Sequence, residues 1–277
     1  MLSGGVVWLR LDPRKAWRWP YGADRVPAPE LQWDRDWMWF ETWARYAWNA
    51  NRELKSEREF WIRRLALRYG SAKAARYMLD SQEAGADVLP GIQRLVWLHY
   101  DNHCVVSAGI LLEQLEQAKG IPFLVLPRLV RIPQYLDALR KGETIKGETP
   151  VDFLAARVRD AEKAVSLARL ANSVAINRKS EAGRVLTDTE AVLLVAKFYH
   201  HKMQAAAAKA TGDKGRFKAL LAISLDDYRN LTNLTRTTYE SLSDVPAWYP
   251  VRFKPDICPY HWTDILPYLE REQAQLW

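Results

Sequence analysis

The chain has 277 residues, of which 48% are apolar and 26% charged, and it contains two cysteines. These are the values of a globular protein, and they exclude a chain that is disordered throughout and a small scaffold held by a disulfide framework. The 40 basic and 33 acidic residues give a net charge of +7, but the two signs alternate without a like-charged run. This pattern indicates a mixed, solvated surface, and we expect no nucleic-acid partner.

The first 30 residues do not match a signal peptide, because charged residues such as Arg10, Asp12 and Arg14 interrupt them. No segment approaches the roughly 20 uncharged apolar residues of a membrane-spanning helix. We therefore expect no membrane partner. The expected location is cytoplasmic by default, or secreted if a signal precedes Met1.

The residues before position 36 differ from the rest of the chain. Residues 6–9 are apolar and two of them are β-branched, which predicts a short strand, and four prolines from position 13 to position 29 prevent a long helix. A single short strand cannot form a sheet or a core by itself. We predict a short irregular or β N-terminal segment that docks on something larger.

From position 36 onward, apolar side chains recur every three or four residues, as at Trp37, Phe40 and Ala44. This spacing predicts helices. Because heptads are not sustained and no repeat of solenoid length is present, the sequence favours a mainly α fold, a multi-helix bundle. We predict helix over most of residues 52–118 and 149–242. We divide the chain into an aromatic-rich segment, 1–50, and a helical bundle domain, 51–277.

Short motifs predict where the helices begin and end. Ser56 with Glu59, and Thr187 with Glu190, match the capping box, in which a serine or threonine and a glutamate satisfy free amides at a helix start. The further signals are a stop at Gly70 and starts at Ser71 and Thr149. The longer elements expected are helices over 90–117, 188–211, 214–241 and 262–273, and an extended crossover over 120–133.

Indole and charged side chains alternate where the helical region opens. Sugars present C–H faces that stack on indole rings, and carboxylate and guanidinium groups bind their hydroxyls. The alternative is that the indoles form the core between the N-terminal segment and the bundle. We expect a core role for most of the indoles, whereas Asp34 and Asp36 are better candidates for a sugar site, because two carboxylates among indoles need a reason. The candidate carbohydrate-binding residues are Asp34, Asp36, Trp37, Trp39, Trp43 and Arg45.

Three consecutive polar residues, Asp101, Asn102 and His103, interrupt an apolar stretch. Since an unpaired buried polar group costs roughly 1–3 kcal/mol, we expect a buried hydrogen-bonded cluster that links helices, with a ligand contact as the alternative. His99 and His103 have the i, i+4 spacing of metal ligands, which Cys258 and His261 could complete, but Tyr100 stands where a zincin motif has glutamate. We predict no metal site and no cofactor.

No catalytic motif is complete in this sequence. The G-x-S-x-G, Walker and G-x-G-x-x-G patterns are missing. His200 and His201 are adjacent, so their side chains point about 100° apart on a helix and do not face one site together. A single base among Lys197, Tyr199 and Lys202 is conceivable, but we expect a surface or structural role for the pair.

Residues 36–49 resemble a segment of α-glucuronidase-like glycoside hydrolases, through Asp36-Trp37 and the run WARYAWN at 43–49. In that family a comparable stretch closes the catalytic (β/α)8 barrel and a helical region follows. The family's proline after the asparagine is replaced by Ala50. Four further short motifs resemble the family: Phe60-Trp61-Ile62, Leu67-Arg68-Tyr69-Gly70, Ala74-Ala75 and Leu89-Pro90.

The resemblance implies that the barrel and its catalytic carboxylates lie upstream of this chain, so no catalytic residue is carried over. It implies that Asp36, Trp37, Trp43 and Arg45 lie near the end of the barrel's sugar pocket. We expect a non-catalytic helical C-terminal region of a carbohydrate-active protein, inactive alone, that supports a barrel or subunit assembly.

The expected partners are a carbohydrate, the upstream barrel, or a second copy of the chain held through the aromatic segment. The main alternative is a free-standing helical protein-interaction or scaffold domain. A third hypothesis is an enzyme that uses His99, Asp101 and His103 with a metal.

Overall fold

The computed structural model of the chain describes residues 36–96, 109–120, 128–238 and 262–276. These residues form a multi-helix bundle, which confirms the predicted mainly α fold. They contain no β-strand, and a single parallel bridge joins Leu129 to Glu148. The helices are α1 (Trp37–Trp48), α2 (Leu54–Tyr69), α3 (Ala72–Gly85), α4 (Val88–Val96), α5 (Leu112–Gln117), α6 (Ile132–Lys141), α7 (Pro150–Val174), α8 (Lys179–Ala210), α9 (Lys214–Thr238) and α10 (Trp262–Leu276).

The 32-residue helix α8 forms the centre of the bundle and packs against both α7 and α9. Helix α3 lies along α7, α2 packs on α3, and α10 packs on α9. Alanine recurs among the buried residues of both α7 and α8. The alanines of this kind on α7 are Ala161, Ala164, Ala168 and Ala171, and those on α8 include Ala191, Ala196, Ala205 and Ala206.

The buried apolar side chains of the described residues form two clusters. The larger extends from α4 to α10 and includes the rings of Phe198, Tyr199 and Tyr228. The smaller lies where α2 and α3 meet the end of α7 and the start of α8, with Trp61 and Leu65 at its centre. Helix α1 packs on this smaller cluster, so the aromatic start of the chain is attached to one end of the bundle.

Several predicted boundaries are confirmed. Gly70 ends α2 with a left-handed backbone, φ 68°, and the Ser71 hydroxyl then accepts a hydrogen bond from the Ala74 amide to begin α3. The Thr149 hydroxyl accepts one from the Asp152 amide at the start of α7. These motifs are confirmed because each needs only residues next to it in the chain.

Both predicted capping boxes are wrong. The Glu53 carboxylate accepts hydrogen bonds from the Lys55 and Ser56 amides, so α2 begins earlier and Ser56 lies inside it. Thr187 lies well inside α8, where its hydroxyl donates to the Gly183 carbonyl. A serine or threonine inside a helix can bond its own backbone in this way, so the pattern does not by itself mark a helix start.

The single helix predicted over 90–117 is wrong, because residues 109–111 are not helical and α5 begins at Leu112. Gly109 has φ 100°, and a Cβ atom there would lie 2.8 Å from the Tyr228 ring. Helix α6 was not predicted, and its first residues fall within the expected crossover.

The predicted strand at 6–9 lies outside the described residues, as do Asp34, His99, Asp101, Asn102, His103, Cys258 and His261. The division at residue 50 stays a prediction. None of the described helices has the length and hydropathy that crossing a bilayer requires.

Candidate functional site

Helix α1 is held against the bundle by Trp37 and Arg45, two of the residues predicted to bind sugar. The Trp37 indole is half-buried, packs against Trp61, and donates from Nε1 to Glu181 Oε1 across 3.3 Å. The Arg68 guanidinium lies 4.5 Å from the centre of the Trp37 ring. The first predicted indole is therefore part of the internal packing of this end of the bundle.

Glu181 is a buried carboxylate that joins α1, α2 and α8. Its Oε1 atom accepts hydrogen bonds from Arg68 Nε at 2.7 Å and from the Tyr69 hydroxyl at 3.0 Å, and Arg178 lies 3.4 Å from Oε2. Burial opposes ionisation of this carboxyl group, but the hydrogen bond and charge of Arg68, with Tyr69 and Arg184, outweigh it and lower the pKa of Glu181. The group is therefore charged at neutral pH and fully engaged within the protein.

Tyr69 is a hydrogen-bond donor to Glu181. Burial, and next the charge of Glu181, raise the pKa of the Tyr69 hydroxyl far above its ordinary value. The hydroxyl consequently stays protonated and acts as a donor. This arrangement serves structure, because it satisfies a carboxylate taken out of water.

Arg45 makes the second attachment of α1. Its Nη2 atom donates to Glu57 Oε1 at 2.6 Å, and its guanidinium lies 3.4 Å from the centre of the Phe60 ring. Arg52 bonds the same carboxylate at 2.9 Å and also donates to the Arg45 carbonyl. The hydrogen bond from Arg45 lowers the pKa of Glu57 although burial opposes it. Arg45 thus holds α1 on α2.

The opposite side of α1 carries exposed aromatic rings. Trp39, Trp43 and Tyr46 are 37%, 67% and 40% exposed, and we call these three residues the aromatic face. The rings of Trp39 and Trp43 are stacked with centroids 6.3 Å apart. Phe40 is also exposed, although it has the helical spacing of Trp37 and Ala44, and α1 packs on the bundle through Trp37 and Met38.

A cavity of about 70 Å³ lies under the start of α1. Asp36, Trp37 and Trp39 line it, so the structure brings three predicted site residues together. Ligand pockets measure roughly 300–1,000 Å³, whereas a water molecule occupies about 30 Å³. The cavity therefore has room for water but not for a sugar ring.

The histidine pair lies far along α8. His201 Nδ1 is 2.6 Å from Asp227 Oδ2 on α9, and burial lowers the pKa of His200. Lys202 is 1% exposed and its Nζ donates to Glu272 and to the Ile110 carbonyl, 2.7 Å in each case. Lys202 is therefore a structural link between α8, α10 and the turn before α5. Within the described residues, no three His, Cys, Asp or Glu side chains are grouped as metal ligands would be.

Similarity to a solved structure identifies the fold of this chain. No protein-family model matches the chain, and no curated protein does. Among solved structures the chain is similar to a GH138 enzyme targeting pectin rhamnogalacturonan II, with a TM-score of 0.80 and 23% sequence identity. The match covers 95% of this chain and 40% of that one. The chain has the fold of part of a glycoside hydrolase.

The structural match agrees with the sequence resemblance only at the level of glycoside hydrolases. It does not point to α-glucuronidases in particular. Because the chain spans 40% of the length of the GH138 enzyme, the match concerns a helical portion of that enzyme and not the whole.

Sequence reasoning missed the two carboxylates that position α1. Glu57 stands four residues before Trp61, and Leu65 and Tyr69 continue the same buried stripe of α2. A charged residue that has the same helical spacing as buried apolar residues indicates a buried ion pair. Glu57 could therefore have been identified from the sequence. Glu181 gave no such signal, because Trp37, Arg68 and Tyr69, which donate to its Oε1 atom, lie more than 100 residues away in the chain.

Proposed function

We propose that this chain is the non-catalytic helical region of a larger glycoside hydrolase-like protein, and that its aromatic face packs against the catalytic part. The observation that carries the proposal is the fold match, which covers almost all of this chain but less than half of a glycoside hydrolase. The resemblance of residues 36–49 to the segment that closes a barrel supports the same reading. The catalytic part would then be a (β/α)8 barrel.

The construction of α1 supports an assembly role. Its inner side is fixed by two ion-pair clusters, at Glu57 and Glu181, so the direction in which the helix presents its outer side is fixed too. Burying one large apolar side chain contributes about 1.5–3 kcal/mol. Three aromatic rings held together on a fixed helix are an effective surface for packing against a second body.

The site does not support sugar binding under α1 itself. The cavity there is too small for a sugar ring, and the guanidinium of Arg45 is engaged by Glu57. The substrate would instead be bound by the catalytic part. We infer a pectic polysaccharide as its class, by analogy with the GH138 enzyme.

Activity assays on two versions of the protein test this proposal. The coding sequence on both sides of the chain is read from its transcript, and the longer product is expressed beside the 277-residue chain. We expect the longer product to release sugars from pectic polysaccharide and the 277-residue chain to be inactive. Turnover by the purified 277-residue chain that is lost in Asp36→Asn, but kept in the exposed control Asp213→Asn, would contradict the proposal.

A further inference from the structure

A groove of about 340 Å³ lies where α1, the end of α2 and the turn before α8 meet. We call it the arginine groove, because three of the six side chains that line it carry a guanidinium. Its volume falls at the lower end of the range for small-molecule sites, roughly 300–1,000 Å³. The lining residues are Trp37, Arg64, Leu67, Arg68, Asn177 and Arg178.

Backbone hydrogen bonds fix the turn that forms one wall of the groove. The amides of Ile176 and Asn177 both donate to the Tyr69 carbonyl, at 2.9 and 3.0 Å. Gly70 permits this contact, since a Cβ atom there would lie 2.8 Å from Asn177 Nδ2. The wall is therefore held in place before any ligand arrives.

Arg178 has a strained backbone at this wall. Its φ of 48° and ψ of 45° are left-handed, and it is the only residue other than glycine with positive φ in the described part of the chain. Such strain costs about 1–3 kcal/mol and is concentrated at functional sites. The side chain is 53% exposed, so no buried packing of the guanidinium explains the conformation.

The groove has an excess of positive charge. Arg68 and Arg178 share the Glu181 carboxylate, and Arg64 pairs with Glu41 through Nε at 3.2 Å. Within the described residues, these three guanidinium groups are paired with two carboxylates. The groove also adjoins the start of α8, where the helix dipole adds partial positive charge.

We propose that the arginine groove binds the carboxylate of an acidic saccharide, a uronic acid. The guanidinium groups of Arg64 and Arg178 are both about half exposed, and each contacts its protein carboxylate through one nitrogen, Nε of Arg64 and Nη1 of Arg178. The other two nitrogens of each group form a planar fork of the kind that holds a carboxylate with two parallel hydrogen bonds. Leu67 and the Trp37 indole give an apolar wall for the C–H face of a sugar ring, and the Asn177 amide suits a hydroxyl. The choice of a saccharide rests on the proposed function, whereas the carboxylate site rests on the groove alone.

Titration calorimetry on the 277-residue chain tests this inference with three probes: galacturonic acid, galactose and succinate. We expect galacturonic acid to bind at least tenfold more tightly than the other two, and its affinity to fall as salt is added. Arg64→Gln and Arg178→Asn should each weaken it about tenfold. Asparagine tolerates the left-handed backbone, so the second variant should keep the fold.

A matched control is Arg169→Gln on α7, which removes the same charge from an ion pair with Glu190 whose arginine is also more than half exposed. It should leave the affinity unchanged. Equal binding of galactose or succinate, equal loss in the control, or no binding at all would overturn the inference. None of these outcomes bears on the proposed function, which concerns the aromatic face and turnover by the longer protein.

Discussion

A Cβ atom on Gly70 would lie 2.8 Å from the Nδ2 atom of Asn177, because the turn that ends α2 is in direct contact with the turn that precedes α8. The two turns are more than 100 residues apart in the chain. Their contact fixes the end of the bundle on which α1 lies, and it positions both Glu181 and the arginine groove.

Replacing Gly70 with alanine should therefore destabilise the protein more than the backbone conformation alone requires. A left-handed residue other than glycine costs roughly 1–2 kcal/mol, and the clash with Asn177 adds to that cost. Gly212 is the matched control, since its φ is 77° and no atom lies within 4 Å of a Cβ atom placed there. Urea unfolding should show a larger loss of stability in Gly70→Ala than in Gly212→Ala, and equal losses would contradict the close contact.

Replacing Glu181 with glutamine should lower the free energy of unfolding by about 3 kcal/mol. The change removes the buried charge that Arg68 pairs with, and breaking a buried pair from one side typically costs roughly 3–5 kcal/mol. Glu162→Gln is the control, because Glu162 is half exposed and pairs with Lys197 at the surface. Its loss should stay below about 1 kcal/mol. A wild-type unfolding curve for Glu181→Gln would refute the role of this carboxylate.

The same variant should change how stability depends on pH. The folded protein lowers the pKa of Glu181 from its ordinary value of 4.5, so this group stabilises the fold fully above that value. The contribution is lost as the pH falls through the lower, folded-state pKa. Urea midpoints measured from neutral to acid pH should therefore fall less steeply in Glu181→Gln than in the wild type.

Replacing Lys202 with methionine should loosen α10. The Glu272 carboxylate accepts hydrogen bonds from Lys202 and from the Leu112 amide, and the change removes its cationic partner. The free energy of unfolding should fall by roughly 3–5 kcal/mol. Hydrogen exchange should speed up in α10. The double variant with Glu272→Leu should recover part of the loss, since no charge is then left unpaired. If the two changes are simply additive, the link between these residues is not what holds α10.

The aromatic face should make the isolated chain self-associate. Exposed apolar patches of several hundred Å² are uncommon on monomers, and Trp39, Trp43 and Tyr46 are held together on one fixed helix. Sedimentation velocity should show a concentration-dependent dimer that Trp39→Ser with Trp43→Ser abolishes. Ile223→Ser, which removes an exposed apolar side chain from α9, should leave it intact. A monomer at every concentration would show that the face does not pair with itself.

The sequence allowed prediction of the fold class and of those boundaries that depend on neighbouring residues. Gly70, Ser71 and Thr149 act through the amides next to them, so a local pattern suffices. Thr187 shows the limit of such patterns, because the same residue type can bond the backbone within a helix. The break at Gly109 depends on its approach to Tyr228, which no local pattern contains.

The candidate site was predictable in part. The aromatic segment was identified, but the roles within it depend on which side of α1 meets the bundle. That orientation is set by Glu57 and Glu181, and Glu181 reaches Trp37 across 144 residues of sequence. Arg45 and Trp37 therefore looked like ligand contacts in the sequence, although they have internal partners in the structure.

The most direct test of the proposed function is hydroxyl-radical footprinting of Trp43, resolved by mass spectrometry, in the 277-residue chain and in the longer product of its transcript. Trp43 is 67% exposed in the structure and should react readily in the shorter chain. We predict strong protection of Trp43 and Trp39 in the longer protein, with Ile223 on α9 equally reactive in both. Equal reactivity of Trp43 in the two proteins would contradict the account, because the aromatic face would then remain open to solvent beside a complete catalytic part.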